Sequence, residues 1–356
     1  DLYRYSENIE MLQQIPSRLS RRLEFDRDAG RRVVDNALRQ SHLQLTESES
    51  KSLLAAYGIP VNPVKRVATV EGAVQQACDT GFPVVLKIDS RDITHKSDAG
   101  GVFLHLVDEY AVRRAFNKAV ENAQAYCPDA QIEGVTIQPM ASSADYELIM
   151  GMKKDRDFGP VILFGMGGVF TEVLKDHAIA FPPLNRLLAH KLIEQTRVCR
   201  LLKGYRNSPP ADMNALEEIL IRLAQLATDF SEIEELDINP LMVNQRGQLA
   251  VDARVLLKPS QTPAPLHLSI SPYPAQYETN VRTDGGTDIF VRPIRPEDAP
   301  LLSELLSSLS PRSIYMRFFT PLKHFPHRML ARFTQIDYDL SLIHISEPTR
   351  PRLVSR

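Results

Sequence analysis

The chain has 356 residues, of which 43% are hydrophobic and 24% are charged, a composition typical of a globular protein with more than one domain. Its formal net charge of -2 argues against a nucleic-acid partner, which would require a basic surface. No apolar run approaches the roughly 20 residues that span a bilayer, and the first residues show no signal-peptide pattern, so we expect no membrane partner and a cytoplasmic location. The three cysteines are far apart, and we interpret them as small buried hydrophobic residues rather than a disulfide framework or a zinc site.

Regular helix signals begin at Thr46. Thr46 and Glu49 are spaced as a capping box, and Gly58 stands where a glycine commonly ends a helix. Thr69 precedes a second helical stretch, which Gly81 closes. Three more helices are predicted, from Asp108 to about Ala125, around His190 to Leu201, and from Asn214 to Phe230.

Short apolar segments alternate with these helices and predict strands. The segments are PVVLKI, VFLHLV, GVTIQPM, YELIMGM, VILFG, LDINPLMV and QLAVDA. Because helices and strands follow one another in a single organisation without repeats, we predict a mixed α/β (α+β) fold.

A stretch rich in proline and serine interrupts this pattern over residues 259–286 and ends in Asp-Gly-Gly. We interpret it as an interdomain linker. Beyond it, TDIFVRPI has strand character, and PEDAPLLSELLSSLS begins a helix with proline and acidic residues in its first turn. A second domain is therefore predicted to begin at residue 287.

The segment LSLIHISEPTR, from Leu340 to Arg350, matches the translation of an adapter used to prepare sequencing libraries. The alternative is a natural tail that happens to have this sequence. We expect residues 340–356 to be a non-native tail that replaces the natural sequence after about Asp339. We exclude these residues from functional reasoning.

Two features of the N-terminal half are suited to binding phosphate. Lys87 ends the strand PVVLK, a position from which its ammonium group can reach a nucleotide phosphate. Gly100 and Gly101 follow in a polar loop, where they permit a close approach of the backbone. Each signal is weak alone, because a solvated lysine and a simple glycine turn are the commoner explanations.

A second glycine cluster, FGMGGVFTE, contains Gly167 and Gly168 and directly follows a predicted strand. We interpret it as a flap over the nucleotide, with a plain strand-to-loop turn as the alternative. It is neither a Walker A loop, since no Gly-Lys-Ser/Thr follows, nor a Gly-x-Gly-x-x-Gly dinucleotide fingerprint.

A candidate magnesium site lies near the end of the predicted module. Asp237 and Asn239 alternate along a strand and therefore share one face. Asp252 is predicted on the neighbouring antiparallel strand. Carboxylate and amide oxygens are suitable ligands for Mg²⁺. The alternative is that Asn239 and Pro240 initiate a turn.

The order of these motifs resembles the β-type, ATP-grasp portion of ADP-forming acyl-CoA synthetases. The motifs are Lys87, HKSDAGG, QPM, YELIMG, FGP, FGMGGVFTEVLKD, LLKGYR, and ELDINPL followed by VDAR. Each motif is common, whereas their combination in this order is specific. We assign residues 46–258 to this module.

The resemblance implies ATP or ADP and Mg²⁺ as cofactors. It assigns Lys87 to the nucleotide phosphates and the backbone from Gln138 to Met140 to an adenine hinge. It assigns Asn239 and Asp252 to Mg²⁺. Each role rests on the match to the family's motifs.

The same resemblance implies further site residues. Glu147, Glu172 and Arg206 are additional candidates for cofactor binding. In the family a phosphoryl group passes between nucleotide and acyl phosphate through phosphohistidine, and the histidine of HKSD, here His95, is a proposed carrier. The alternative for His95 is local hydrogen bonding. One departure is Asn207, where the family motif GYRG has a glycine.

The flanks resemble parts of a larger enzyme. Residues 1–45 resemble the connector that follows the CoA-binding and ligase-like domains in single-chain members. FVRPIRPEDAPLL and LSPRSIYMRFF, within residues 287–339, resemble the opening of a GNAT-type acetyltransferase domain. This layout resembles bacterial protein lysine acetyltransferases, which implies acetyl-CoA or CoA as cofactor and protein lysines as substrates of the intact parent. The GNAT pyrophosphate loop, Gln/Arg-x-x-Gly-x-Gly/Ala, is absent from the sequence.

Two functions remain open. In the first, the ATP-grasp region is a regulatory or ligand-sensing module of a lysine acetyltransferase. In the second, it belongs to an ADP-forming acyl-CoA synthetase, such as an acetate–CoA ligase, and binds nucleotide and acyl-CoA. It then catalyses phosphoryl transfer between ATP or ADP and acyl phosphate through phosphohistidine. From the sequence we favour the first function; because Lys87, His95, Asn239 and Asp252 are all retained, the second function stays the alternative.

Overall fold

Two units, each with its own hydrophobic core, divide the chain in this computed structural model: Leu23–Ile270 and the residues from Ser271 onward. The structure describes residues 23–93, 96–168, 176–206, 208–245, 247–272, 274, 277–295, 298–320, 325–334 and 336. The predicted site residues His95 and Glu172, the variant position Asn207 and the segment from Leu340 onward lie outside the described residues.

Two helices begin the larger unit, α1 (Arg27–Arg39) and α2 (Glu47–Ala56). The predicted capping box of α2 is confirmed. The Glu49 N–H donates to Thr46 Oγ1 at 3.3 Å, and the Thr46 N–H donates to the Glu49 carboxylate at 2.8 Å. Gly58 has a φ of 69°, the left-handed conformation that ends a helix at low cost only with glycine.

Helix α1 packs into the core of the larger unit through Val34 and Ala37, which are buried. The sequence assigned residues 1–45 to a connector, whereas the structure places the residues from Leu23 in the larger unit. The reason is that the Arg-rich stretch contains an apolar helix face, and this face is covered only when the chain folds back on the core.

A four-stranded antiparallel sheet, here the small sheet, forms one part of this unit. Its strands are β1 (Lys65–Val67), β2 (Val84–Ser90), β3 (Val102–Leu106) and β4 (Ile132–Pro139), in the order β1-β4-β2-β3. Helices α3 (Val70–Thr80) and α4 (Glu109–Tyr126) cover one face. As predicted, Thr69 and Asp108 cap these helices.

Side-chain alternation gives the small sheet one apolar and one polar face. Leu86 and Ile88 of β2 pack with the two helices. Lys87 lies between them in the strand and therefore points to the opposite face. There it lies beside Thr136 and Gln138 of β4, since Lys87 pairs with Thr136 in the antiparallel register. This polar face forms one side of the candidate site.

A six-stranded antiparallel sheet, here the large sheet, forms the other part of the unit. Its strands are β5 (Tyr146–Asp155), β6 (Gly159–Met166), β7 (His177–Ala180), β8 (Ile233–Asn244), β9 (Gly247–Ala250) and β10 (Ala253–Leu257). The order is β10-β8-β5-β6-β7, and β9 pairs with the far end of β8. The core also includes residues of helices α5 (Arg186–Glu194), α6 (Val198–Leu202) and α7 (Met213–Asp229).

The large sheet corrects two sequence interpretations. QLAVDA was predicted as one strand, but β9 ends at Ala250 and β10 begins at Ala253, so Asp252 lies in the break between them. The break arises because the two strands pair with successive parts of β8. Asn239 lies within β8, so the alternative of a turn at this position is wrong.

The second unit contains a hairpin of β11 (Thr279–Arg282) and β12 (Asp288–Val291), followed by helices α8 (Ala299–Ser308), α9 (Pro311–Phe318) and α10 (His327–Thr334). The predicted strand and helix after residue 287 are confirmed. The predicted linker 259–286, however, contains β11. Its Asp-Gly-Gly lies in the turn of the hairpin, since this sequence suits a tight turn as well as a linker.

Burial of the cysteines agrees with the sequence interpretation only in part. Cys199 is buried, but Cys127 is half-buried and Cys78 is exposed. Cys78 lies on α3, where neighbouring alanines fill the apolar face instead. Among the helices that the structure describes, none combines the length and the apolar character needed to cross a bilayer.

Candidate functional site

A cavity of about 370 Å³ lies between the small and large sheets. On the small-sheet side it is lined by Asp89 and Lys96, and on the large-sheet side by Asp237, Asn239 and Asp252. The N-terminus of α2, including Glu47, completes the lining. The cavity therefore brings together candidates that are far apart in the sequence.

Glu47 is the centre of a buried charged cluster beside this cavity. Its Oε1 accepts hydrogen bonds from Lys51 Nζ and Lys87 Nζ, both at 2.9 Å. Its Oε2 accepts from Lys96 Nζ at 2.7 Å, and the Gln138 side-chain amide donates to Oε1 at 2.6 Å. The side chain of Glu47 is only 1% exposed. We call Glu47, Lys51, Lys87 and Lys96 the lysine cluster.

The lysine cluster shifts the titration of its members. Burial raises the pKa of Glu47, but Lys96, Lys87 and Lys51 together hold it well below its ordinary value. Burial lowers the pKa of Lys51, which Glu47 offsets only in part. Burial lowers the pKa of Lys96 as well, but the negative charges of Glu47 and Asp252 raise it above the ordinary value. The cluster contains three ammonium groups and one carboxylate, which makes this side of the cavity cationic.

Lys87, the predicted phosphate ligand, connects the two sides of the site. Besides Glu47, its Nζ donates to the Val251 carbonyl at 3.4 Å and lies 3.7 Å from Asp252 Oδ2. Val251 and Asp252 occupy the break between β9 and β10. A cation that already contacts both walls is well placed to bind an anion between them.

The acidic residues of the large sheet form the opposite wall. The Val251 N–H donates to Pro240 O at 3.2 Å, and Ala253 pairs with Ile238, so Asp252 lies beside Asn239. Burial raises the pKa of Asp237 to about 6; the nearby Arg254 lowers it, and the negative charges of Glu235 and Asp252 raise it. We call Asp237, Asn239 and Asp252 the acidic wall.

This donor set fits a magnesium ion that is shared with a nucleotide. Mg²⁺ is usually held by one or two carboxylates together with substrate phosphates, rather than by a cage of protein ligands. The described residues contain no cluster of three or more His, Cys, Asp or Glu side chains suited to a metal ion.

Gly100 and Gly101 use their backbone donors within their own loop, and their predicted role at the phosphates stays a prediction. The Gly100 N–H donates to Ser97 O at 3.0 Å and the Gly101 N–H donates to Lys96 O at 2.8 Å, so both donors are used within the loop. A Cβ on Gly101 would lie 2.5 Å from the Ile88 side chain. These glycines allow the loop to pack closely on β2, and this packing places Lys96 at the cavity.

The predicted adenine hinge is occupied by internal contacts. The Met140 N–H donates to Pro83 O at 3.0 Å, and Gln138 pairs with Val85 across β4 and β2. The sequence assigned a role to the Gln138 backbone, whereas its buried side chain is what reaches Glu47 and Lys51. The hinge assignment stays a prediction.

The second glycine cluster meets the acidic wall. The Gly167 N–H donates to Glu147 O at 2.9 Å, and the Gly168 N–H donates to Asn239 Oδ1 at 3.4 Å. Gly168 has a φ of 77°, and a Cβ there would collide with the Glu147 carboxylate. The structure thus groups Glu147, Gly167 and Gly168 with Asn239.

Arg206 is exposed, and its guanidinium lies 5.2 Å from the centre of the Tyr205 ring. None of the contacts among the described residues links it to the cavity.

The sequence analysis missed Glu47, Lys51 and Lys96. Glu47 and Lys51 are four residues apart on α2, a spacing that usually indicates an exposed helix pair. Lys96 follows His95 directly in the HKSD motif, so the signal was present but was assigned to the histidine.

Comparisons with known proteins identify the family. The ATP-grasp domain profile matches residues 36–257. The chain is 38% identical over 233 residues to the beta subunit of acetate–CoA ligase (ADP-forming) I of Pyrococcus furiosus, covering 65% of this chain and 100% of the relative. It is 40% identical over 232 residues to acetate–CoA ligase (ADP-forming) I of Archaeoglobus fulgidus, covering 65% of this chain but only 33% of that protein.

Solved structures agree with this relationship. One is the dinucleotide forming acetyl-coenzyme A synthetase 1 of Ca. Korarchaeum cryptofilum with coenzyme A, Ca-AMPCP and HgCl+, at a TM-score of 0.63 and 38% identity, covering 64% of this chain and 100% of that chain. A second structure of that enzyme holds coenzyme A and Mg-AMPPCP, with its phosphohistidine segment pointing towards the nucleotide binding site, at a TM-score of 0.57, 35% identity and the same coverage. The chain therefore belongs to the ATP-grasp family, in the group that contains the beta subunits of ADP-forming acetate–CoA ligases.

Proposed function

We propose that the larger unit binds a magnesium nucleotide in the cavity between its sheets and transfers a phosphoryl group between ATP or ADP and a histidine, as part of an ADP-forming acyl-CoA synthetase. The observation that carries the proposal is the opposition of charges across one cavity. Lys96 lines one side, together with Glu47, which also binds Lys87, and Asp237, Asn239 and Asp252 line the other side.

The lysine cluster supplies the charge that polyphosphate requires. Phosphoryl transfer depends mainly on positioning and on stabilising negative charge at the phosphate oxygens. Lys96 lines the cavity, and Lys87 contacts residues of both sheets. Their ammonium groups are held by Glu47 in advance, so little rearrangement is needed when the phosphates bind.

The acidic wall is suited to the magnesium ion of the nucleotide. Asn239 and Asp252 would hold it, and Asp237 lies on the same strand face as Asn239. A bound Mg²⁺ supplies charge neutralisation at the phosphate oxygens. The related Korarchaeum enzyme holds Mg-AMPPCP, which supports a magnesium nucleotide as the ligand class.

In the proposed reaction, the bond between the terminal phosphorus of ATP and its bridging oxygen breaks, and a bond from that phosphorus to an imidazole nitrogen forms. ADP leaves with the bridging oxygen. The reverse step makes ATP from phosphohistidine. His95 stays the predicted carrier within this chain, because it directly precedes Lys96, whose ammonium group reaches the cavity.

The remaining partners of the reaction are coenzyme A and an acyl phosphate. The chain spans a third of the length of the single-chain Archaeoglobus relative, so the whole synthetase reaction is proposed for an assembly rather than for this chain. The Korarchaeum structures contain coenzyme A, which supports CoA as a partner of that assembly.

Binding is tested by calorimetric titration of the whole chain with ATP, in the presence and absence of Mg²⁺. We expect a single site per chain that tightens when Mg²⁺ is added, because the acidic wall repels the free polyphosphate. Adenosine serves as the control ligand without phosphates. Absence of ATP binding under both conditions would falsify the nucleotide assignment.

Phosphoryl transfer is tested separately with ATP labelled at its terminal phosphate. We expect an acid-labile, alkali-stable label on the protein, which is characteristic of phosphohistidine, and its loss in the His95→Asn variant. The assay needs the assembled synthetase if the accepting histidine lies in another chain. A label that remains in His95→Asn would exclude His95 as the carrier.

A second candidate function rests on the C-terminal unit. The sequence of this unit resembles the opening of a GNAT domain, and the unit contains a hairpin followed by helices. In this alternative the parent is a lysine acetyltransferase and the ATP-grasp unit senses nucleotide. The family profile ends at residue 257, so this alternative has less support than phosphoryl transfer. Sequencing the source DNA beyond Asp339 tests it, since a GNAT acetyl-CoA loop must follow.

A further inference from the structure

Glu47 is contacted by side chains from several parts of the chain, an arrangement that nucleotide binding alone does not explain. Its carboxylate is contacted by side chains from four segments: Lys51 of α2, Lys87 of β2, Lys96 of the following loop and Gln138 of β4. The carboxylate therefore joins α2 to the small sheet at the edge of the cavity.

Glu47 is the nearest counter-charge of three ammonium groups, while Asp252 lies farther away, 3.7 Å from Lys87 Nζ. Three ammonium groups surround one carboxylate, and the side chains of Glu47, Lys51 and Lys87 are 1%, 2% and 7% exposed. Like charges this close repel strongly where little water screens them. Without the carboxylate, the lysines would separate or lose protons. Their repulsion already contributes to the lowered pKa of Lys51, because the charge of Lys87 lowers it.

We propose that Glu47 is a positioning residue, which gathers Lys87 and Lys96 into the arrangement that binds the polyphosphate of the nucleotide. This inference rests on the proposed function, since it names a determinant of the same site. Glu47 itself has no direct contact with the ligand in this scheme, because its two oxygens already accept four hydrogen bonds.

The lysines keep hydrogen-bonding capacity for a ligand. An ammonium group has three N–H donors. Within the described residues, Lys96 Nζ uses one of them, on Glu47, and it lines the cavity. Lys87 Nζ makes one short hydrogen bond to Glu47 and a longer one to the Val251 carbonyl. Lys96 is thus fixed by Glu47 on one side and faces the cavity on the other, while Lys87 is held between Glu47 and the Val251 carbonyl beside it.

The opposite role for Glu47 is that of an internal competitor, a carboxylate that occupies the lysines until phosphate displaces it. The geometry favours positioning. Glu47 also binds Lys51 and Gln138, which are buried and do not line the cavity, so displacing the carboxylate would leave these groups without their partner.

The test compares ATP, ADP and AMP binding to the whole chain, by competition with a fluorescent ATP analogue. In Glu47→Gln we expect ATP and ADP affinity to fall on the order of tenfold or more, and AMP affinity to fall much less, because the charge-assisted contacts serve the outer phosphates. Glu47→Asp keeps the charge on a shorter side chain and should restore part of the loss. Glu71→Gln, whose carboxylate is 79% exposed on α3, is the matched control.

Each outcome decides the proposal. Wild-type chain that fails to bind ATP removes the proposed function and this inference together. Wild-type binding with unchanged Glu47→Gln affinity removes only the positioning role, and tighter binding shows competition instead. An equal loss for ATP and AMP shows a purely structural effect. Where Glu47→Gln does not fold, Glu47→Asp decides, since an unchanged ratio of ATP to AMP affinity overturns the proposal.

Discussion

The two walls of the cavity differ in how their charges are balanced. In the lysine cluster the counter-charge is internal: Glu47 is 1% exposed and contacts three ammonium groups. In the acidic wall it is only partial: Asp252 is 45% exposed and lies 3.7 Å from Lys87, and burial raises the pKa of Asp237 to about 6 although Arg254 lowers it. The charges of the lysine cluster are therefore compensated within the protein, whereas we expect those of the acidic wall to be compensated by a cation that binds with the ligand.

The origin of the two walls differs as well. The acidic wall comes from β8 and the adjacent break between β9 and β10, and the pairing of these strands with β8 fixes Asp252 beside Asn239. The lysine cluster is assembled from a helix, a strand and a loop, and Glu47 and Lys87 are 40 positions apart in the sequence. We expect changes in the lysine cluster to alter folding and binding together, and changes in the acidic wall to alter mainly the dependence on metal.

The largest effect is expected from removing Lys87. In Lys87→Ala, ATP affinity should fall on the order of a hundredfold, about 2.7 kcal/mol, because the ligand loses a charge-assisted contact that both walls share. Calorimetric titration in Mg²⁺ measures it. Lys118→Ala, an exposed lysine on α4, is the control and should bind ATP as the wild type does. Equal ATP affinity in the two variants would contradict the assignment of Lys87 to the nucleotide site.

The next effect concerns the uncompensated charge of the acidic wall. Folding raises the pKa of Asp237 from its ordinary value of 3.8 to about 6, so the folded state favours the protonated form. The resulting penalty is absent below about pH 4 and grows as the pH rises through 6. Without metal, Asp237→Asn should raise the free energy of unfolding by about 2 kcal/mol at about pH 7.5 and by little at about pH 4.

Urea unfolding at both pH values, followed with and without Mg²⁺, checks this prediction. Added Mg²⁺ should remove much of the advantage of Asp237→Asn, because the cation supplies the missing counter-charge to the wild type. An advantage that is the same at both pH values would show that repacking, and not ionisation of Asp237, is responsible.

A smaller effect is expected from Asp252→Asn. The variant loses a carboxylate ligand, so ATP affinity in Mg²⁺ should fall about tenfold. Without Mg²⁺ its affinity should equal or exceed that of the wild type, since a negative charge 3.7 Å from Lys87 is removed. Titration of both proteins with ATP, with and without Mg²⁺, measures this reversal in relative affinity. Asp288→Asn, on the exposed hairpin of the other unit, should change neither value.

The same difference between the walls explains what the sequence could reveal. The alternation of Asp237 and Asn239 is a local pattern, and strand periodicity predicts their shared face correctly. The role of Glu47 depends on contacts with β2 and β4, which no local pattern contains. The packing of α1 is hidden from local patterns for a related reason, since part of its partner surface lies more than a hundred residues away, at Asp229 and Glu232.

The smallest effect tests whether the cap of α2 supports the lysine cluster. Thr46 caps the helix that begins at Glu47, so Thr46→Ala should cost about 1 kcal/mol of unfolding free energy. Thr69→Ala removes an equivalent cap from α3 and should cost a similar amount. Only Thr46→Ala should also weaken ATP binding, about twofold to threefold, because a frayed first turn loosens Glu47 and through it Lys87 and Lys96. Equal ATP affinity in the two variants, at equal loss of stability, would show that the carboxylate is held by its lysines alone.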